Sequence, residues 1–260
     1  MAAMLLSGPV MAADKPLAAA TESQREAAAI LKGMAEYLAG LKSFTCTTRS
    51  GFEVVQASGQ KIEFGETRHQ TLARPNRLRV EEVSSDGDRD LALFDGKLMT
   101  VYNADAGVYA QVPQPASIDD ALVYFIRDLH MRMPLALLLS THVSTELPAM
   151  VREIDYVETT EINGKPAHHI AGRTDSVDFQ FWVADGQRPL PLRLVITYTQ
   201  APGQPQYWAD ITDWNTIPQL ASSTFNLALP KDARKIAFAV QLARRGNAPQ
   251  PGAASGEVKP

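Results

Sequence analysis

Apolar residues recur along this chain with two different periods. Over 22–41 the spacing is helical: Ile30, Leu31, Met34, Leu38 and Leu41 fall on one face. Thr21 and Gln24 make a capping-box pair ahead of that run, and Glu22 and Glu26 suit the positive end of a helix. From Phe44 the period drops to two. Phe44, Cys46, Thr48, Ser50, Phe52 and Val54 share one face of a long strand. Ile62, Phe64 and Leu72 lie on one face of the next, with Glu63, Thr67 and His69 on the other. Arg74-Pro75-Asn76 breaks that strand, because proline removes a ladder donor. Leu78 and Val80 then alternate with Arg77, Arg79 and Glu81, and Asp86-Gly87 and Asp95-Gly96 mark tight turns between the short strands that follow.

The alternation stops at 113–148. Pro113 and Pro115 end the first meander, and Ser117 caps a helix that begins Ile118-Asp119-Asp120. Leu122, Phe125, Ile126 and Leu129 form its apolar face. Met131-Arg132-Met133-Pro134 interrupts it, 135–140 is a second short helical piece, and Pro148 closes the segment. Alternation then resumes. Asn163-Gly164 is the strongest hairpin signal in the chain. Phe179 and Phe181 alternate with Gln180 and Trp182, Leu190, Leu192 and Leu194 with Arg193, and Tyr207, Ala209 and Ile211 face one way. Residues 225–230 are read as a last extended piece.

The order is helix, meander, helical insertion, meander, with no alternation of strand and helix. The fold class expected is therefore α+β: a large curled antiparallel sheet of about 10–11 strands, a half-open incomplete β-barrel with helices over its concave face. The domain spans 22–240, with 117–140 as a helical lid.

Composition narrows the function. The chain has 260 residues, 45% hydrophobic and 21% charged, with a formal net charge of -4, so it can bury a real core and is not a disordered chain. A sequence pI near 5.8 argues against a nucleic-acid partner. No window of 18 apolar residues offers a transmembrane segment. One cysteine, Cys46, rules out an internal disulfide framework and is read as a small buried hydrophobe. Residues 1–13 carry a short apolar stretch and a small-x-small site at Val10-Met11-Ala12, read as the remnant of a signal peptide whose start lies upstream, hence a periplasmic location. Residues 242–260 are Gly, Pro, Ala and charge, read as a disordered tail.

Catalytic patterns are missing. There is no G-x-S-x-G, no nucleotide-binding glycine motif and no H-E-x-x-H. His168 and His169 are adjacent on a strand and point to opposite faces, a poor metal site. His130 and His142 flank the insertion and could meet, with no third ligand implied; His69 stands alone. Asp119-Asp120 directly after Ser117 reads as a helix start, and no neighbouring cation argues for a thiolate at Cys46. No enzyme, cofactor or metal is expected. What remains is apolar: Phe52, Phe64, Leu78, Val80, Phe179, Phe181, Leu192 and Leu194 on the strands, with Leu122, Phe125, Ile126, Leu129, Met133 and Leu138 on the lid. A sheet this large offers more concave area than two short helices fill, so these residues are expected to line a ligand cavity, with a hinge at Met133-Pro134.

Several segments resemble a known group. Arg74-Pro75-Asn76-Arg77-Leu78-Arg79-Val80-Glu81 is similar to the RP-x-x-hR-x-E strand of the LolA/LolB-type periplasmic lipoprotein carriers. Phe94-Asp95-Gly96-Lys97-Leu98 with Val101-Tyr102-Asn103 resembles their DGK hairpin. Phe181-Trp182-Val183-Ala184-Asp185, then Leu190-Pro191-Leu192-Arg193, resembles a further pair of their strands, and 225–230 their closing segment. The insertion at 129–140 looks more like an uncharacterised family of predicted bacterial periplasmic proteins related to those carriers, and the likeness spans roughly 25–238. The resemblance implies a lidded half-barrel that takes up a lipid or lipoprotein acyl chains, with Arg77 and Arg79 matching basic positions that could contact a head group. An alternative on the same fold is an envelope-stress regulator or scaffold binding an envelope protein partner. A hydrolase of envelope lipids would need a clustered acid, base and nucleophile that the sequence does not display.

Overall fold

The computed structural model describes residues 20–238 apart from 115, 130–132 and 134. The signal-peptide remnant read at 1–13, the tail at 242–260, His130, Met131, Arg132, and Pro134 of the expected hinge lie outside the described residues.

The chain opens with helix α1 (Glu22–Gly40), whose N-terminus carries the full capping box: Gln24 N donates to Thr21 Oγ1 and Thr21 N to Gln24 Oε1. Its face of Ala27, Leu31, Met34, Ala35 and Leu38 is buried. The first meander follows as β1 (Ser43–Val55), β2 (Lys61–Ala73), β3 (Arg77–Ser84), β4 (Arg89–Phe94), β5 (Leu98–Asn103) and β6 (Val108–Pro113). After the insertion come β7 (Glu153–Ile162), β8 (Lys165–Arg173), β9 (Val177–Ala184), β10 (Pro191–Tyr198) and β11 (Gln206–Asn215), and last the two-residue β12 (Arg234–Lys235). The β7–β8 turn is where the sequence puts it, with Asn163 at φ 51° and Gly164 at φ 74°, both left-handed as a type I′ turn requires.

All strands join one sheet in the order β12-β6-β5-β4-β3-β2-β1-β11-β10-β9-β8-β7. Neighbours are antiparallel except β12 and β6. The pairing of β1 with β11 fuses the two meanders at their centre, so the sheet is one curled surface that does not close into a barrel.

Register sets the two faces. Across β1, β2, β3 and β4, Phe44, Leu72, Leu78 and Phe94 stand opposite one another and are buried, one row of the concave face. Helix α1 crosses the second meander, packing on β7 and reaching β8 and β9. Ser23 Oγ accepts from Tyr156 N at 3.0 Å, which ties the helix to the edge strand. On the opposite, convex face Arg49, Trp208, Arg193, Trp182 and His169 form a ladder. Arg193 lies 5.6 and 5.7 Å from the two indole rings, and His169 stacks on Trp182 at 4.1 Å. Gly51 lets the Trp208 indole lie on the sheet, since a Cβ there would come within 2.6 Å of it.

The insertion departs from expectation. Instead of two helical pieces it comprises α2 (Ile118–Val123), a wide π-helical turn (Tyr124–Asp128), one turn of α3 (Ala136–Leu139) and α4 (Val143–Met150). Pro148 lies inside α4. It sits in the final turn, where the lost N–H costs one bond of a helix about to end. Residues 225–230 enter no sheet. Ser222–Phe225 is a 3-10 turn packed on β3, and the ladder is completed instead by Arg234 N to Gly107 O and Ile236 N to Tyr109 O.

Candidate functional site

Most of the space between sheet and helices is filled by the protein's own side chains. Leu122, Phe125, Leu129 and Leu138 of the insertion are buried in the same cluster as Phe179, Phe181 and Leu194 of the second meander. Among the described residues, a recess lies between the lid and the first meander. Its floor is Leu78 and Val80 of β3 and Ala92 and Phe94 of β4; its roof is Phe125, Met133, Leu135, Ala136 and Leu139. Its free volume is about 80 Å³ beneath a partly open mouth, a narrow slot below the usual range for small-molecule pockets.

One end of the recess is polar. On β2 the concave face reads Leu72, Gln70, Arg68 and Glu66, opposite Leu78, Val80, Glu82 and Ser84 of β3. Arg68 Nε donates to Glu82 Oε2 at 2.7 Å, and Arg68 Nη1 reaches Glu66 Oε1 at 2.8 Å. Ser50 Oγ donates to Glu66, and Gln70 Nε2 to Thr48 Oγ1. Burial alone would lower the Arg68 pKa, but the two carboxylates outweigh it and raise it, so the guanidinium stays charged. Burial first, and then the charges of Glu82, Asp88 and Asp105, raise the Asp90 pKa against a hydrogen bond with Asn103. From Leu78 to Glu82 the recess runs about 13 Å along the strand, passing from apolar to ionic.

The expected site residues divide. Leu78, Val80, Phe125 and Met133 line the recess. Leu122, Leu129, Leu138, Phe179, Phe181 and Leu194 are packed core. Leu192 is buried at the register shift between Pro191 and Arg193 and lies outside that cluster. Phe64 and Ile126 are corrected outright: both are 44% exposed. Phe64 stacks with half-buried Phe52 at 5.8 Å, on the stretch of concave sheet beyond Glu66, and Ile126 borders a separate, shallower pocket on the lid with Leu122, Val123, Ala136 and Leu137. Arg77 and Arg79 are corrected too. They alternate with Leu78 and Val80 and so stand on the convex face, where Arg79 binds Glu81 and Thr224 O and Arg77 lies 5.7 Å from the Phe225 ring. The arginine inside is Arg68. The period-two register from Phe64 to Leu72 places it there, so this signal was present in the sequence.

The chemistry of the remaining candidates is structural. Asp120 completes a capping box with Ser117. Asp119 instead accepts from Ser140 Oγ, Thr141 N and Thr141 Oγ1, which clasps α2 to the α3–α4 junction. Burial would raise the Asp119 pKa, but the hydrogen bonds from Thr141 and Ser140 prevail and hold it below the usual carboxylate range. His142 Nε2 is 3.9 Å from Asp119, His168 bonds Asp185, and His69 bonds Thr47. Among the described residues no group of three or more His, Cys, Asp or Glu is placed to hold a metal ion, and no helix is long and apolar enough to cross a membrane.

The profile of a family described as "Predicted periplasmic protein (DUF2092)" matches residues 27–239, which takes in both meanders, the lid and α1 beyond its first turn. The chain belongs to this family. DUF2092 proteins are periplasmic, and the fold described above is that of this member. Comparison with curated proteins found no match. Among solved structures, the lipoprotein LppX of Mycobacterium tuberculosis is similar at 14% identity, covering 80% of this chain and 100% of its own, with a TM-score of 0.49. An uncharacterized conserved protein of Thermus thermophilus gives 12% identity, 82% and 99% coverage and 0.47. MucB in the Pseudomonas aeruginosa MucA/MucB complex gives 16%, 78% and 61%, and 0.43.

Proposed function

We propose that this DUF2092 protein is a non-catalytic carrier that holds a hydrophobic ligand, a lipid or a lipoprotein acyl chain, in the recess under its lid. The observation that carries this reading is the recess itself: apolar floor and roof, one partly open side, and a polar group only at one end. Burial of a chain there contributes about 0.8 kcal/mol per CH₂, enough for useful affinity with no catalytic group. The roof is built from short pieces, the π-helical turn, Met133, Leu135 and α3, so it can move without unfolding the sheet.

The test is direct. Protein purified from periplasm and examined by native mass spectrometry should release a lipid on organic extraction. Ala92→Phe, which places a ring on the recess floor, should weaken uptake of the uncharged fluorophore N-phenylnaphthylamine by about tenfold or more while the protein still melts cooperatively. No extractable lipid together with unchanged uptake in Ala92→Phe sinks the proposal. A second reading, docking of an envelope protein, is favoured by the apolar strip of Val54, Ile62 and Phe64, which are 37%, 39% and 44% exposed at the free end of the β1–β2 hairpin. A stoichiometric copurifying protein lost on Phe64→Ser would support that reading.

A further inference from the structure

The polar end of the recess restricts the chemistry of what can be bound, given the carrier reading on which this inference rests. A ligand whose chain lies along Leu78, Val80 and Phe94 brings its polar terminus to Gln70, Arg68 and Glu82. Arg68 is the only cation among the described residues lining the recess, and it is already committed. Its Nε is held by Glu82 and its Nη1 by Glu66, so one guanidinium faces two carboxylates. Asp90 lies directly across from Glu82 on the neighbouring strand and adds a further acidic group. The arginines that could have supplied a free positive charge, Arg77 and Arg79, are on the other side of the sheet. An anionic terminus would enter a partly buried site of net negative charge, where repulsion is poorly screened. A carbonyl, hydroxyl or ammonium group would instead meet Gln70 and the Arg68–Glu82 pair, which offer both donors and acceptors.

We propose that the recess selects ligands with a non-anionic polar end, acyl chains in ester or amide linkage, and discriminates against free fatty acids of the same chain length.

Matched probes test this on the unaltered protein. Laurate, lauramide, glycerol monolaurate and dodecylamine are each titrated against bound N-phenylnaphthylamine near neutral pH, below their micelle thresholds. The amide and the ester should displace the fluorophore at concentrations about tenfold lower than laurate, with dodecylamine on their side of the divide. Glu82→Gln removes one of the carboxylates and should shrink the ratio between laurate and lauramide several-fold. Laurate binding as tightly as lauramide, or a ratio that Glu82→Gln leaves untouched, overturns the inference and leaves the carrier reading standing. Failure of the fluorophore and of all four chains to bind counts against the carrier reading itself, and the inference falls with it.

Discussion

The Asp119 clasp is the contact that holds the lid as one unit, and its removal has a calculable effect. Three donors from Ser140 and Thr141 converge on a carboxylate whose side chain is 19% exposed. Arg74 lies in the field of the same carboxylate. Its Nε donates to Leu41 O, while Nη1 and Nη2 are buried with no hydrogen-bond partner, and Asp119 opposes the burial that disfavours its charge. In Asp119→Asn a single neutral oxygen must replace two charged ones. A hydrogen bond to a charged acceptor contributes about 1.5–3 kcal/mol, so weakening all three and losing at least one predicts a stability loss on the order of 2–4 kcal/mol. Urea unfolding at neutral pH measures it, and amide exchange over 136–150 should quicken more than in β1 or β2. The pH dependence gives a second handle. The folded pKa is below the unfolded value of about 3.9, so the contribution is complete above that value and is lost as the pH falls through the folded one. Wild type and variant should therefore differ fully between about pH 5 and 7 and converge toward ~pH 2. A difference under about 0.5 kcal/mol at neutral pH, or exchange that rises no faster in the lid than in the sheet, refutes the clasp.

Two further outcomes follow from the core. Leu38→Ala in α1 empties a fully buried site between helix and sheet and should cost about 2–5 kcal/mol in denaturant unfolding, without altering the fold. Burial first, then the charge of Asp213, pushes the Cys46 thiol up to about 12 against a hydrogen bond with Thr48, so a disulfide reagent near pH 8 should leave the folded protein unlabelled and label this single thiol once urea unfolds it.

Strands and α1 were legible because their signals are local and redundant. Alternation, Asn-Gly and Asp-Gly turns and the Thr21–Gln24 box each specify backbone geometry over a few residues, and all agree. The missed elements lack such signals. Strand β12 is an Arg-Lys pair with no hydrophobic alternation, and it exists because residues 234–236 meet the open edge of β6. Helix α4 was hidden by Pro148, a proline near a helix end that reads the same as a terminator. The join of β1 to β11, which sets the whole sheet, pairs residues about 160 positions apart, and nothing along the chain announces such a contact.

The site shows where pattern reading fails for a physical reason. Apolar alternation separates inside from outside, but it does not separate filled from empty. Phe179, Phe181 and Leu194 obey the same rule as Leu78 and Val80, yet the first group is packed against the rest of the core while the roof pieces leave a gap over the second. Volume is a difference between large, nearly cancelling quantities, and no single side chain carries it. Polarity behaves oppositely. Glu66, Arg68 and Gln70 stand at inward positions of a strand that is otherwise read from its apolar members, and a charge at a core register is costly unless it is paired. Those inward charges, not the apolar stripe, are the sequence feature that marks this recess, and their pairing with Glu82 makes one end of it ionic.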